Sequence, residues 1–144
     1  MENINFFITQ STLNDIYLYF NDIENEKGGA LLVDKRDNRI FRFVPLINIS
    51  DNTKREFIFS FDELNNKIDC YLGDDNVEFI GIIHSHRYSS QPSKEDVDFY
   101  TNLIKENDYE YLLFPIFCYK NPSSIKWWLM KGDSIDEIEV KVVD

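Results

Sequence analysis

The sequence is poor in cysteine, histidine, glycine and proline. Its 144 residues include two cysteines, two histidines, five glycines and four prolines. Cys70 and Cys118 are far apart and belong to no spacing motif, so we expect free thiols in a reducing compartment rather than a disulfide. The low glycine and proline content also excludes collagen-like and low-complexity segments, and no internal repeat or linker interrupts the chain.

Long apolar runs are missing as well. No stretch approaches the roughly 20 apolar residues that span a bilayer. The first five residues, Met1-Glu2-Asn3-Ile4-Asn5, lack the basic residues that begin a secretion signal. We therefore expect a cytoplasmic protein with no membrane partner.

Positive charge is scarce. The chain has 15 Lys and Arg residues against 26 Asp and Glu residues, which gives a formal net charge of −11. Nucleic-acid binding needs clustered Lys and Arg to displace counterions from phosphates, so a nucleic-acid partner is not expected. The acidity suits a basic protein partner, but it also serves solubility alone, and charge does not decide between these.

What the sequence does contain is enough apolar material for a core. Hydrophobic residues make up 43% of the chain and aromatic residues 15%, which is typical of a globular protein. A chain of this length predicts one domain over residues 1–144, and its oligomeric state cannot be read from the sequence.

The hydrophobic pattern alternates between helix and strand. The first helix is predicted to begin at Ser11 or Thr12 and to stop before Gly28-Gly29, with apolar side chains at helical spacing as far as Ile23. Two more helices are predicted after Ser60 and Ser93. Strands are predicted at 30–33, 39–44, 56–60, 79–83, 111–118, 125–130 and 135–143. The order predicts the α/β fold class, more specifically an α+β mixed sheet flanked by helices.

The only two histidines stand two residues apart at the end of an apolar strand. His84 and His86 follow Phe79-Ile80-Gly81-Ile82-Ile83, and residues i and i+2 of a strand point to the same face. Asp96 lies in the first turn of the helix after Ser93, where its carboxylate can approach both rings. Two nitrogens and one oxygen match a catalytic zinc site with its fourth position open.

Each of these residues also has a structural interpretation. Ser93-x-x-Asp96 is an ordinary helix capping box, and the capping and site roles can hold together. Histidines on strands are often core residues, although such a role leaves their spacing unexplained. Glu26 alone is a solvated acid, and Gly28-Gly29 alone is a helix end.

Taken in order, Glu26-Lys27-Gly28-Gly29-Ala30-Leu31-Leu32, His84-Ser85-His86 and Ser93-Lys94-Glu95-Asp96 resemble the JAMM (MPN-plus) metalloprotease family. The chain resembles a minimal, prokaryotic-type single-domain member, over residues 8 to 131. Two positions differ from the family pattern. Arg87 replaces the proline that follows the second histidine, and six residues separate His86 from Ser93 where the family has seven.

The resemblance implies a JAMM/MPN fold, which is similar to the cytidine-deaminase-like fold. It implies one Zn²⁺ per chain, bound by His84, His86 and Asp96, with Glu26 as the base and Ser93 as an oxyanion donor. Glu24 is a rival for the base. The implied activity is that of a zinc isopeptidase or peptidase that cleaves after the C-terminal glycine of a ubiquitin-like protein, its conjugate or its precursor.

Two other functions stay open at this point. One is a metal-free MPN scaffold that binds a partner without hydrolysis, which the shortened loop and Arg87 would suit. The other is a hydrolase of a small amide or aminoacyl conjugate. Metal content separates the first from an enzyme, and a ubiquitin-like substrate separates the isopeptidase from the second.

Overall fold

The structure is a computed structural model that describes residues 4–120, 122–132 and 134–144. Residues 1–3, which belong to the start examined above for a secretion signal, lie outside the described residues. The elements in chain order are β1 (Phe6–Thr9), α1 (Gln10–Tyr19), β2 (Gly28–Asp34), β3 (Arg39–Leu46), α2 (Phe61–Leu72), β4 (Val77–His86), α3 (Lys94–Asn107), β5 (Leu112–Leu113), β6 (Ile116–Cys118), β7 (Ser124–Lys131), β8 (Ser134–Ile138) and β9 (Val140–Val143).

The strands form one mixed sheet, as the sequence predicts. From β4 the order runs through β2, β3 and β1 to β9, while on the other side β5 and β6 both lie between β4 and β7. β8 pairs with β7. The pairs β2·β3 and β2·β4 are antiparallel, whereas β6 runs parallel to β4, which places the ends of β4 and β6 at the same edge.

Helices cover both faces of this sheet. Along β2, Ala30 and Leu32 pack in a core with α2 and α3, while Leu31 and Val33 pack in a second core with α1. A strand with both faces buried needs a continuous apolar run rather than an alternating one. Ala30-Leu31-Leu32-Val33 supplies that run, and this explains why β2 and β4 lie at the centre.

The first helix differs from the prediction at both ends. Its N-cap is Thr9, whose Oγ1 accepts a hydrogen bond from Thr12 N at 3.2 Å, so the predicted caps Ser11 and Thr12 lie inside the helix. The helix ends at Tyr19. Asp22 then accepts backbone hydrogen bonds from Glu24 and Asn25 at 3.0 and 3.2 Å, and this turn replaces the helical bonds that the apolar spacing favours.

Three strand predictions need correction, and one strand was missed. Residues 56–60 form no strand. Glu56 O and Ile58 N bond to the side chain of Asn48, while Glu56 N and Ile58 O bond to loop backbone, so no partner strand is involved. The predicted strand 111–118 is broken by Phe114-Pro115 into β5 and β6. The predicted strand 135–143 is two strands, of which β8 pairs with β7 and β9 with β1. β1 was not predicted, since it is short and is held by distant partners.

Two predicted helix caps are confirmed. Ser60 and Ser93 are the N-caps of α2 and α3. Cys118 is buried, Cys70 is exposed, and both are free thiols. Among the described residues, no helix is long and apolar enough to cross a bilayer.

Candidate metal centre and cleft

The two histidines lie at the C-terminal end of β4, where β2 approaches closely. Gly28 is paired with His84 across the β2·β4 ladder. A Cβ atom at Gly28 would lie 2.7 Å from the Phe57 ring and 2.8 Å from the Ile83 carbonyl oxygen, so a side chain does not fit there. The Phe57 ring stacks on His84 with 6.3 Å between ring centroids and 11° between ring planes. Glycine at this position therefore lets β2 and Phe57 pack against the end of β4 that carries His84 and His86.

The ring nitrogens of the histidines converge with one carboxylate oxygen. The two Nε2 atoms are 2.9 Å apart, and Asp96 Oδ2 lies 3.4 Å from His84 Nε2 and 3.2 Å from His86 Nε2. Around a tetrahedral zinc with bonds of about 2.0–2.1 Å, ligand atoms are roughly 3.3 Å apart. The histidine-carboxylate distances match this spacing, and the nitrogen pair is slightly tighter. The donor set fits a divalent metal ion.

Asp96 reaches the histidines because α3 begins at Ser93. Ser93 Oγ accepts from Asp96 N at 3.1 Å, and Asp96 Oδ2 accepts from Ser93 N at 3.0 Å, which completes a capping box. The same Oδ2 atom faces both imidazoles. The capping and site interpretations of this motif thus coexist in one carboxylate, and Ser93 lines the cleft with its hydroxyl proton uncommitted among the described residues.

Burial and mutual charge shift the pKa values here. Burial acts to raise the pKa of Asp96, but hydrogen bonds from His84 and His86 outweigh it and hold that pKa well below its usual range. For His86, burial lowers the pKa, and the hydrogen bond and charge of Asp96 outweigh this and raise it. These directions describe a carboxylate that stays ionised beside two rings.

Glu26 lies beside the histidines on the segment that leads into β2. Ligand atoms of Glu26, His84 and His86 all lie within 4.8 Å of one another, so this trio could also hold a metal ion. Desolvation by burial raises the pKa of Glu26 to about 7, and Asp96 and Glu56 add to the rise while His86 opposes it. A carboxyl group with such a pKa can accept and release a proton near neutral pH.

The rival acid occupies a different environment. Glu24 is exposed, and its Oε1 lies 3.5 Å from a guanidinium nitrogen of Arg87. It is not among the residues that line the cleft, whereas Glu26 is. Position therefore favours Glu26 over Glu24 as the acid beside the metal centre.

The centre opens into a cleft of about 790 Å³. One wall comes from residues 52 and 55–59, before α2, and the other from residues 87–89 and the start of α3. Trp128 Nε1 donates to Ser90 O at 2.9 Å, which ties the irregular loop after β4 to β7. Neither this contact nor the stacking of Phe57 on His84 could be predicted from a local pattern, because both join residues that are distant along the chain.

One nitrogen of the centre has no hydrogen-bond partner. His84 Nδ1 is buried and finds no acceptor or donor among the described residues. Metal-binding histidines usually donate their second ring N–H to an acceptor that fixes the ring. Here the orientation of His84 depends on Phe57 and on its burial in β4.

Fold and site together define a mixed-sheet α+β protein with a candidate His-x-His metal centre at the end of a central strand. Comparisons with known proteins give the family. The model of the prokaryotic homologs of the JAB domain matches residues 19–130, and the chain belongs to this family. It is a minimal prokaryotic JAB/MPN member, as the resemblance implies. The family includes hydrolases.

Solved structures support the fold. Protein DSY2949 from Desulfitobacterium hafniense is similar, with a TM-score of 0.70, 20% identity and coverage of 96% of this chain and 93% of that one. The JAB1/MPN domain protein AF2198 from Archaeoglobus fulgidus is also similar, with a TM-score of 0.58, 19% identity and coverage of 98% of this chain and 100% of that one. No curated protein matches the chain.

Proposed function

We propose that this chain is a zinc-dependent isopeptidase or peptidase that cleaves after the C-terminal glycine of a ubiquitin-like protein, its conjugate or its precursor. The observation that carries the proposal is the convergence of two Nε2 atoms and Asp96 Oδ2, with the half-buried Glu26 beside them. The family and the cleft are consistent with it.

In this proposal, His84, His86 and Asp96 hold the zinc. When bound, zinc supplies a Lewis acid that polarises the scissile carbonyl and makes a water molecule more acidic. Glu26 takes a proton from the attacking water and delivers it to the leaving amine, a role that its place beside the two histidines allows. Ser93 donates its hydroxyl proton to the oxygen on which negative charge develops.

The lining of the cleft suits an extended chain. Its wall includes Phe57, Ile58 and Phe99 beside the polar residues, which offers both apolar contacts and hydrogen-bonding groups. A glycine next to the scissile bond lets a backbone approach a crowded centre without a side-chain clash. This supports a glycine-ended tail as the substrate segment.

A second candidate follows from two arginines in the same cleft. Arg55 and Arg87 both line it. Guanidinium groups bind carboxylates well, and a small aminoacyl conjugate presents a free carboxylate close to its amide bond. Hydrolysis of such a conjugate is therefore the alternative substrate class within the same chemistry.

The test is hydrolysis by purified protein whose zinc content is known. A ubiquitin-like protein extended beyond its terminal glycine and a glycyl dipeptide with a free C-terminal carboxylate are offered separately. Zinc-dependent release from the first supports the proposal, and release only from the second supports the alternative. A folded, zinc-free protein that cleaves neither would identify a scaffold.

A further inference from the structure

The backbone of Glu26 is held by a loop rather than by a strand ladder. Glu26 precedes β2, which begins at Gly28. Its N–H donates to Thr53 O at 2.6 Å, and its carbonyl oxygen accepts from Asn48 Nδ2 at 2.8 Å. The position of the glutamate therefore depends on residues 48–53, which lie beyond the end of β3.

Asn48 is the centre of this arrangement. A side-chain amide offers two N–H donors and a carbonyl oxygen with two lone pairs. The second N–H of Asn48 donates to Glu56 O at 2.9 Å, and Oδ1 accepts from Ser50 N at 3.0 Å and from Ile58 N at 3.1 Å. All four positions of the amide are thus used, although the residue is only half-buried.

These bonds join Glu26 to the cleft wall that contains Glu56. One amide nitrogen bridges the carbonyls of Glu26 and Glu56, and both glutamates line the cleft. Ser50 Oγ also donates to Glu56 Oε1 at 2.6 Å. Residues 56–58 form no strand, so the side chain of Asn48 supplies part of the bonding that a ladder would provide.

We infer that Asn48 is a positioning residue, which fixes Glu26 and the cleft wall of residues 52 and 55–59 relative to the histidines. This inference rests on the proposed function only where it concerns turnover. A misplacement of a reacting group by about 1 Å can cost on the order of a hundredfold in rate. Asn48 would act through Glu26, without touching substrate or metal.

Hydrogen exchange tests the inference without any need for activity. Asn48→Asp keeps size and the acceptor for Ser50 and Ile58, but it removes both donors. We expect amide exchange at Glu26 to accelerate by roughly tenfold or more, while Ile58 changes less. Asn48→Ala should accelerate both. The matched control is Asn66→Asp, which makes the same change on the exposed face of α2.

Kinetics and zinc content test the catalytic part. Asn48→Asp should keep about one zinc per chain and lower kcat by about ten- to a hundredfold with a smaller change in KM. In a Glu26→Gln background, Asn48→Asp should lower kcat little further, because the carboxylate that Asn48 positions is already absent.

The outcomes separate this inference from the proposed function. Unchanged amide exchange at Glu26 in Asn48→Asp would overturn the inference about Asn48. It would also be overturned if Asn48→Asp lowered kcat as much in the Glu26→Gln background as in the wild-type protein. If the wild-type protein neither holds zinc nor hydrolyses an amide, the proposed function fails, and the exchange result alone decides whether Asn48 holds Glu26.

Discussion

The two sides of the candidate site are built in different ways. The metal side, His84, His86 and Asp96, lies within one strand end and the next capped helix, so its parts are close along the chain. The base side, Glu26, is held by Asn48, Thr53 and the residues around them, which come from separate segments. A local pattern can therefore reveal the first side, while the second depends on packing across the fold.

The largest effect should come from breaking the metal side. His84→Ala and Asp96→Ala each remove one of three ligands, and both should lower zinc content from about one per chain to near zero and abolish hydrolysis. Elemental analysis after mild dialysis measures this. The control is Asp98→Ala, an exposed acid on α3, which should keep its zinc. Unchanged zinc in both ligand variants would remove the site assignment.

Breaking the base side should separate binding from catalysis. Glu26→Gln keeps size but removes the basic carboxylate, so it should fold normally and hold zinc while hydrolysis falls by at least about a hundredfold. Rate and zinc content are measured on the same preparation. Glu24→Gln should leave the rate nearly unchanged. If the rate were lost in Glu24→Gln and kept in Glu26→Gln, the base would be Glu24. If Glu26→Gln lost its zinc, Glu26 would be a metal ligand instead.

Ser93 belongs to the metal side by position and tests whether a cap can also act in catalysis. Ser93→Ala should keep zinc, lose about ten- to a thousandfold in rate, and lose about 1 kcal/mol of unfolding free energy. Ser60→Ala is matched, since Ser60 Oγ caps α2 by accepting from Glu63 N at 3.2 Å. Both variants should show a similar fall in Tm, but only Ser93→Ala should lose rate. Full activity in Ser93→Ala would show that Ser93 acts only as a helix cap.

The smallest effect is expected at the far end of β2, away from the cleft. A hydrogen bond from Arg36 lowers the pKa of Asp34 to about 2 from its ordinary value of 3.8. The pKa is lower in the folded state, so Asp34 contributes stability above its ordinary pKa and loses it as pH falls through about 2. Asp34→Asn should therefore lower Tm at pH 7, with the difference closing in acid and zinc content unchanged. A Tm difference between Asp34→Asn and the wild type that is the same at pH 7 and in acid would rule out the ionised carboxylate as its cause.

The same contrast explains what the sequence could predict. The histidine strand, the Ser93 cap and the β2 run carry local signals of period, spacing and capping, and the structure has them where predicted. The short β1, the break at Pro115 and the division between β8 and β9 depend on partners far along the chain. The roles of Asn48 and Phe57 had no local signal either, because an isolated asparagine or phenylalanine does not show what it will contact.

One part of α2 shows how long-range contacts change a local motif. Ser60-Phe61-Asp62-Glu63 predicts a reciprocal capping box, and Ser60 does cap the helix. The Glu63 carboxylate instead accepts from Ile47 N at 2.9 Å and pairs with Lys67 at 2.9 Å. The backbone just after β3 thus binds the Glu63 carboxylate, which the sequence pattern assigns to the cap of α2.

Metal removal and return in the wild-type protein test the central claim most directly. Protein purified without added metal should contain about one zinc per chain, lose hydrolysis when a chelator removes that zinc, and regain it when about one equivalent is restored. Folding is followed by circular dichroism throughout. A folded protein that hydrolyses the same substrate with no metal, or that binds no zinc at one equivalent, would contradict the account.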